Sequence, residues 1–149
     1  MKRNIRKEVR RLIDKYETRN PIELIELLDI SLVKTTLGGR MRGYYCCPLD
    51  IESICISSNL SDEDTNMVAA HELAHALFHR NMNVLFISSN TFCNKGRYEK
   101  LANYFSADLL LPDDIFKNHK GECFEFIAKA EGVSYELVKL KSELISVNI

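Results

Sequence analysis

No apolar run in this 149-residue chain approaches the roughly 20 residues needed to cross a bilayer, so a helical membrane protein is not expected. The basic start, Met1-Lys2-Arg3-Asn4, is not followed by an apolar segment. No secretory signal is read, and a cytoplasmic location is the expectation. Charge of one sign is also lacking: 20 Lys and Arg stand against 21 Asp and Glu, a formal net charge of −1. That excess is too small to make coating nucleic acid the main task. Internal repeats, linkers and low-complexity stretches are absent, so residues 1–149 are expected to form a single domain. Cysteine is sparse and odd in number, five in all. Without a signal, reduced thiols are the default. The adjacent Cys46 and Cys47 fit no zinc-knuckle spacing.

What is present is an ordinary globular composition, 46% hydrophobic and 28% charged, enough to bury a core. Ile5, Val9, Leu12, Ile13 and Tyr16 recur at helical spacing within residues 4–17. Asn20-Pro21 reads as an N-cap followed by proline at the first helical position, opening a short helix to about Asp29. Residues 30–35 are β-branched, Gly38-Gly39 is a turn signal, and residues 40–46 and 51–57 flank the loop Pro48-Leu49-Asp50. This predicts a small, mostly antiparallel three-stranded sheet over residues 31–57. Ser61 followed by acids at 62–64 opens a helix to about His79, with Met67, Ala70, Ala74, Leu77 and Phe78 as its apolar stripe. Residues 84–87 read as a short strand or buried loop. Helical spacing returns over residues 97–111, buried through Tyr98, Leu101, Ala102, Phe105 and Leu109, and ends at Pro112. Shorter helices are predicted over 113–118, 122–131 and 134–145, packed on the domain and broken at Gly132. The fold class is α+β, with five or six helices around the sheet and a zincin-like active-site helix.

The chemistry centres on His71-Glu72-Leu73-Ala74-His75, an HExxH sequence. Histidines four apart on a helix lie one turn apart on one face, so both imidazoles can reach one zinc ion. Glu72 points elsewhere around the helix, toward the metal-bound water. Zinc lowers the pKa of that water, and Glu72 is the base that takes its proton. A catalytic zinc takes a third protein ligand. His79 lies too far along the helix to serve, and the extended HExxHxxGxxH pattern is absent. Spacing leaves Glu99, Glu122, Glu125, Asp108 and Asp113 open. Glu99 is favoured because Asn103 follows one turn later, where an amide can orient a ligating histidine. Tyr98, Tyr104 and His119 are the candidates for stabilising an oxyanion.

Residues 71–80, HELAHALFHR, with residues 99–112, EKLANYFSADLLLP, resemble the ImmA/IrrE family of bacterial and phage metallopeptidases. The similarity covers roughly residues 20–145. It implies zinc ligands His71, His75 and Glu99, a catalytic Glu72, and a protein substrate: a helix-turn-helix repressor of a phage, mobile element or stress regulon. Leu101, Ser106 and Leu111 depart from the family pattern, where an acid, Ala and Met are common. None of the three is a proposed ligand. A competing pattern lies at residues 126–138, where Gly132 stands in what resembles the turn of a helix-turn-helix. Its second helix carries Glu136 and Glu143 beside Lys139 and Lys141, a poor charge balance for DNA. An alternative function is therefore a DNA-binding or non-proteolytic anti-repressor protein with a structural metal site.

Overall fold

Local chemistry sets the helix starts in a computed structural model that describes residues 1–80 and 95–147, with Lys95 described in its backbone only. Helix α1 spans Lys2–Tyr16. Helix α2, Pro21–Leu27, is capped by Asn20, whose side-chain oxygen accepts from the amides of Ile22 and Glu23. Helix α3, Asp62–Phe78, starts at Ser61, whose hydroxyl accepts from the Asp64 amide at 3.1 Å, and carries three acids in its first turn. Helices α4 (Lys95–Leu110), α5 (Ile115–Asn118), α6 (Phe124–Glu131) and α7 (Tyr135–Ser146) follow. Gly132 closes α6 at a positive φ of 66°, the left-handed cap glycine favours. Residues 84–87 lie outside the described residues.

The expected α+β fold is present, with seven helices among the described residues and a three-stranded sheet. The sheet is mixed rather than mostly antiparallel. Strands β1 (Ser31–Thr35), β2 (Gly43–Cys46) and β3 (Ser53–Ser57) lie in the order β1-β3-β2, with β1 parallel and β2 antiparallel to β3. The reason is burial. In β3, Ile54 and Ile56 are fully buried and Cys55 nearly so, and such a strand belongs in the middle. The less buried β2 is left outside it, and the hairpin through Pro48–Asp50 then brings β3 back alongside β1 in the same direction.

Helix α3 is buried more widely than one stripe predicts. Ala70 and Ala74 are inaccessible as expected, but so are Ala69 and Leu73, and Met67, Leu77 and Phe78 are only partly covered. The helix packs against β2 and β3 on one side and α4 on another. Its alanines, with Ala102 and Ala107 on α4, let the backbones approach closely.

The two ends of the chain meet through a buried ionic cluster. Lys141 of α7 is wholly inaccessible and donates to Asp108 (2.6 Å) and Asp113 (2.8 Å). Arg6 of α1 donates to the other Asp113 oxygen at 2.6 Å and to the Leu144 carbonyl at 3.3 Å. Leu137, Leu140 and Leu144 of α7 join the main core, and Val138 joins a second cluster with Leu111, Ile115, Ile127 and Ala128. Burial raises the Asp113 carboxyl, but the Lys141 hydrogen bond and the charges of Lys141, Arg6 and Arg10 outweigh it, so its pKa is depressed.

Lys141→Met is expected to lower the unfolding free energy by about 3–5 kcal/mol in chemical denaturation, because the buried Asp108 loses its hydrogen-bonded ammonium and keeps only Arg6 Nε at 3.7 Å. Asp113→Asn should cost only about 1 kcal/mol, since that carboxylate is half exposed and screened. The depressed pKa means that Asp113 stabilises the fold above its unfolded value and loses this contribution as pH falls through its folded value. The stabilities of wild type and Asp113→Asn should therefore converge in acid.

Candidate metal centre

The α3–α4 packing brings two sequence-distant motifs together. His71 and His75 lie one turn apart on α3, with their Nε2 atoms 3.2 Å apart. From α4, Glu99 Oε2 stands 3.1 Å from His71 Nε2, and Oε1 stands 3.4 Å from His75 Nε2. These donors form a group that could hold one metal ion. Tetrahedral zinc with bonds of about 2.0–2.1 Å sets its ligands about 3.3–3.4 Å apart. The two Nε2 atoms lie near that spacing, and a Glu99 carboxylate oxygen lies within 3.4 Å of each of them.

The hydrogen bonding points the same way. His71 Nδ1 lies 3.0 Å from Asn103 Oδ1, one helical turn beyond Glu99. A carbonyl oxygen can only accept, so Nδ1 carries a proton, and whenever the ring is neutral its Nε2 lone pair faces His75 and Glu99. His75 Nδ1 in turn faces His79 Nδ1 at 3.0 Å. Lone pairs converging from three sides repel one another unless a cation or a proton lies between them.

The electrostatics distinguish the two glutamates. The hydrogen bonds with His71 and His75 hold the Glu99 carboxyl far below the usual carboxylate range. Burial pushes the Glu72 carboxyl up, against the charges of His71 and His75 and the backbone amide of Tyr45, which is directed at it. Glu72 Oε2 is buried and has no hydrogen-bond partner among the described residues. A carboxylate with a raised pKa and an unused oxygen is suited to accepting a proton. Burial lowers the His71 imidazolium, but the Glu99 hydrogen bond and the charges of Glu72 and Glu99 outweigh it, so its pKa is raised.

Of the carboxylates left open by spacing, the fold brings Glu99 to the histidine pair. Asp108 and Asp113 are held by Lys141 and Arg6, while Glu122 and Glu125 are exposed near the start of α6. Tyr98 packs edge-on against the His79 ring, with centroids 4.4 Å apart. Tyr104 turns away, its hydroxyl donating to Glu143 and its ring lying under Lys2. His119 pairs with Glu131 at 2.7 Å, so neither residue lines the groove beside the histidines. His79 is the residue that the search for ligands undervalued. It is too distant to ligate, yet it is buried beside His75, where burial and His75 lower its pKa to about 4. The i, i+4, i+8 row of His71, His75 and His79 carried that signal.

Strand β2 passes directly over the site. A Cβ on Gly43 would lie 2.5 Å from Val68 Cγ1, 3.0 Å from the Cys55 carbonyl oxygen and 3.6 Å from Glu72 Cγ. Only glycine permits this approach. The Ser57 amide donates to the Arg42 carbonyl at 2.8 Å, so Arg42, Tyr44 and Cys46 exchange hydrogen bonds with β3. Gly43 and Tyr45 therefore direct their backbone groups away from β3, along the sheet edge nearest Glu72.

Among the described residues no helix is long and apolar enough to cross a membrane, and the described cysteines are free thiols. The family described as Peptidase_M78, IrrE N-terminal-like domain, matches residues 25–143. "Uncharacterized immunity region protein 2" of Bacillus phage phi105 is 37% identical over 139 residues, covering 92% of this chain and 88% of the phage protein. "Metallopeptidase ImmA" of Bacillus subtilis (strain 168) is 25% identical over 111 residues, 74% of this chain and 65% of that protein. In overall fold the chain is similar to a Mycobacterium tuberculosis transcriptional regulator, with a TM-score of 0.65 at 17% sequence identity. That match takes in 93% of this chain but spans only 46% of the regulator. A family match over most of the sequence, a close relative of nearly equal length and a His-His-Glu group on facing helices lead to one conclusion: the chain belongs to the ImmA/IrrE family of metallopeptidases.

Proposed function

We propose that this chain is a zinc-dependent endopeptidase that makes a site-specific cut in a cytoplasmic partner protein, a helix-turn-helix repressor of a phage, mobile element or stress regulon. The observation that carries the proposal is the buried Glu72 oxygen, without a partner among the described residues, beside His71, His75 and Glu99. His71, His75 and Glu99 would hold the zinc, with Asn103 and His79 orienting the two imidazoles. Bound zinc would supply an acidified water and a polarised peptide carbonyl. Glu72 takes the proton of the attacking water and delivers it to the leaving amine as the C–N bond breaks. Asn103 keeps the His71 proton on Nδ1 throughout. Tyr98 is the remaining candidate for steadying charge on the carbonyl oxygen, since Tyr104 and His119 are engaged elsewhere.

The substrate would lie along β2 as an added strand, paired with the outward backbone groups of Gly43 and the Tyr45 carbonyl, the Tyr45 amide being directed at Glu72. Repressor cleavage gains support from the kinship with a phage immunity-region protein and with ImmA. Direct DNA binding is disfavoured: α7 commits Leu137, Leu140, Lys141 and Leu144 to the interior, and the net charge is −1. The competing function is a non-proteolytic anti-repressor that keeps the same metal, and loss of activity on changing Glu72 separates the two.

Metal analysis should find about one zinc per chain, lost when His71→Ala and His75→Ala are combined and weakened by Glu99→Ala. Zinc binds the neutral imidazole, and the pKa of metal-free His71 lies above its ordinary 6.5. Zinc affinity, titrated with a competing chelator, should therefore begin to fall above that pH and decline further as acid is added. Gly43→Ala should cut cleavage by about a hundredfold with zinc content unchanged, because the strand shifts off Glu72, and adding Val68→Ala should restore part of the loss. Co-expression with a repressor encoded beside this chain should yield discrete fragments, absent with Glu72→Gln although that variant keeps its zinc, while casein stays intact. An uncut repressor beside zinc-loaded protein, or broad degradation of unfolded proteins, would contradict the proposal.

A further inference from the structure

We infer that the groove beside the histidine pair is a pocket for a bulky uncharged side chain, so that the peptide cut by this chain carries a leucine-, methionine- or phenylalanine-sized residue next to the scissile bond. The inference rests on the peptidase function proposed above. The groove encloses ≈ 390 Å³ between α3, α4, the start of α7 and the residue leading into β2. His71 and Glu72 form part of its wall, so a side chain entering it belongs to a residue at the reacting bond.

Apart from Glu72, whose free Oε2 is itself inaccessible, its polar lining is already engaged. Arg42 and Asp64 pair with each other at 2.8 Å, cancelling the charge at the rim. On the floor, the Ser106 hydroxyl donates to the Ala102 carbonyl at 2.9 Å, and Asn103 Oδ1 is held by His71. Ser134 caps α7 through the Leu137 amide. What the pocket still offers is apolar: Met67, Val68 and Leu137. A charged side chain placed there would exchange water for walls that supply no free counter-charge, whereas an apolar one gains their contact. The volume exceeds what alanine or valine would fill, and ordinary ligand pockets begin at about this size.

The test uses the full-length zinc-loaded protein and small hydroxamates as probes, titrated by calorimetry. One series carries its side chain on the amino side of the hydroxamate and the other on the carboxyl side, each with glycine, leucine, phenylalanine, aspartate or lysine. In at least one series the leucyl and phenylalanyl compounds should bind about ten- to a hundredfold more tightly than the glycyl compound, with aspartyl and lysyl no tighter than glycyl. Ser106→Leu, which fills the floor, should bring the leucyl and phenylalanyl affinities down to the glycyl value and leave the glycyl affinity unchanged. Met67→Lys, on the partly exposed wall, should shift preference to the aspartyl compound, and it tests the same pocket without altering the buried floor. Equal affinities across both wild-type series, or a preference for a charged side chain, would overturn the pocket assignment while leaving the zinc site standing. Failure of every hydroxamate, glycyl included, to bind the zinc-loaded protein would overturn the peptidase function and the pocket with it.

Discussion

The packing of α3 against α4 is the constraint on which the rest of the site depends. The HExxH helix carries two imidazoles, but neither the third donor nor the amide that sets the His71 tautomer lies near it in sequence. Both come from α4, at positions 99 and 103, one turn apart. Small residues on the two helices permit the close approach, and a larger residue at Ala70, Ala74 or Ala102 would have to push them apart. A donor set with separations of 3.1 to 3.4 Å tolerates little such displacement.

The placement of α4 is in turn held from its far side. Asp108, about two and a half turns from Glu99 and so on the opposite face, binds the inaccessible ammonium of Lys141, and Arg6 ties α1 to Asp113. A buried ion pair contributes less to net stability than its short distances suggest, because both charges were desolvated to form it. What it does supply is register: α1, α4 and α7 meet in the one arrangement in which each charge finds its partner. The ends of the chain thus bear on a metal centre to which they contribute no ligand.

The sheet acts on the site through one strand. Burial of Ile54 and Ile56 leaves β2 at the edge, and the absence of a side chain at Gly43 lets that edge touch the helix at Glu72. Burial under this contact raises the Glu72 pKa, the Tyr45 amide directed at it partly offsets the rise, and the register of β2 on β3 turns the backbone groups of Gly43 and Tyr45 outward. The proton transfer and the substrate strand proposed above would therefore be coupled through a few ångströms of backbone. The neighbouring groove extends the same surface toward α7.

The sequence by itself determined the local elements and the chemistry of the metal centre. Asn20-Pro21, Ser61 with its acids and Gly132 announce helix ends through interactions confined to a few residues, and HExxH places two imidazoles on one helical face through the helix repeat alone. The three-stranded sheet was legible for the same reason, though not the parallel pairing of β1 with β3. That pairing depends on which strand the helices cover, a property of the whole fold. Only the tertiary structure decided which carboxylate faces the histidines. Glu99, Asp108 and Asp113 are all acids on or beside one helix, yet the packing turns Glu99 to the metal donors and the others to Lys141 and Arg6. It also decided that Tyr104 and His119 are spent elsewhere, and that Gly43 lies against Glu72. Each of these is a contact between residues whose separation in space is set by the burial of the helices between them, and periodicity along a single segment carries no record of it.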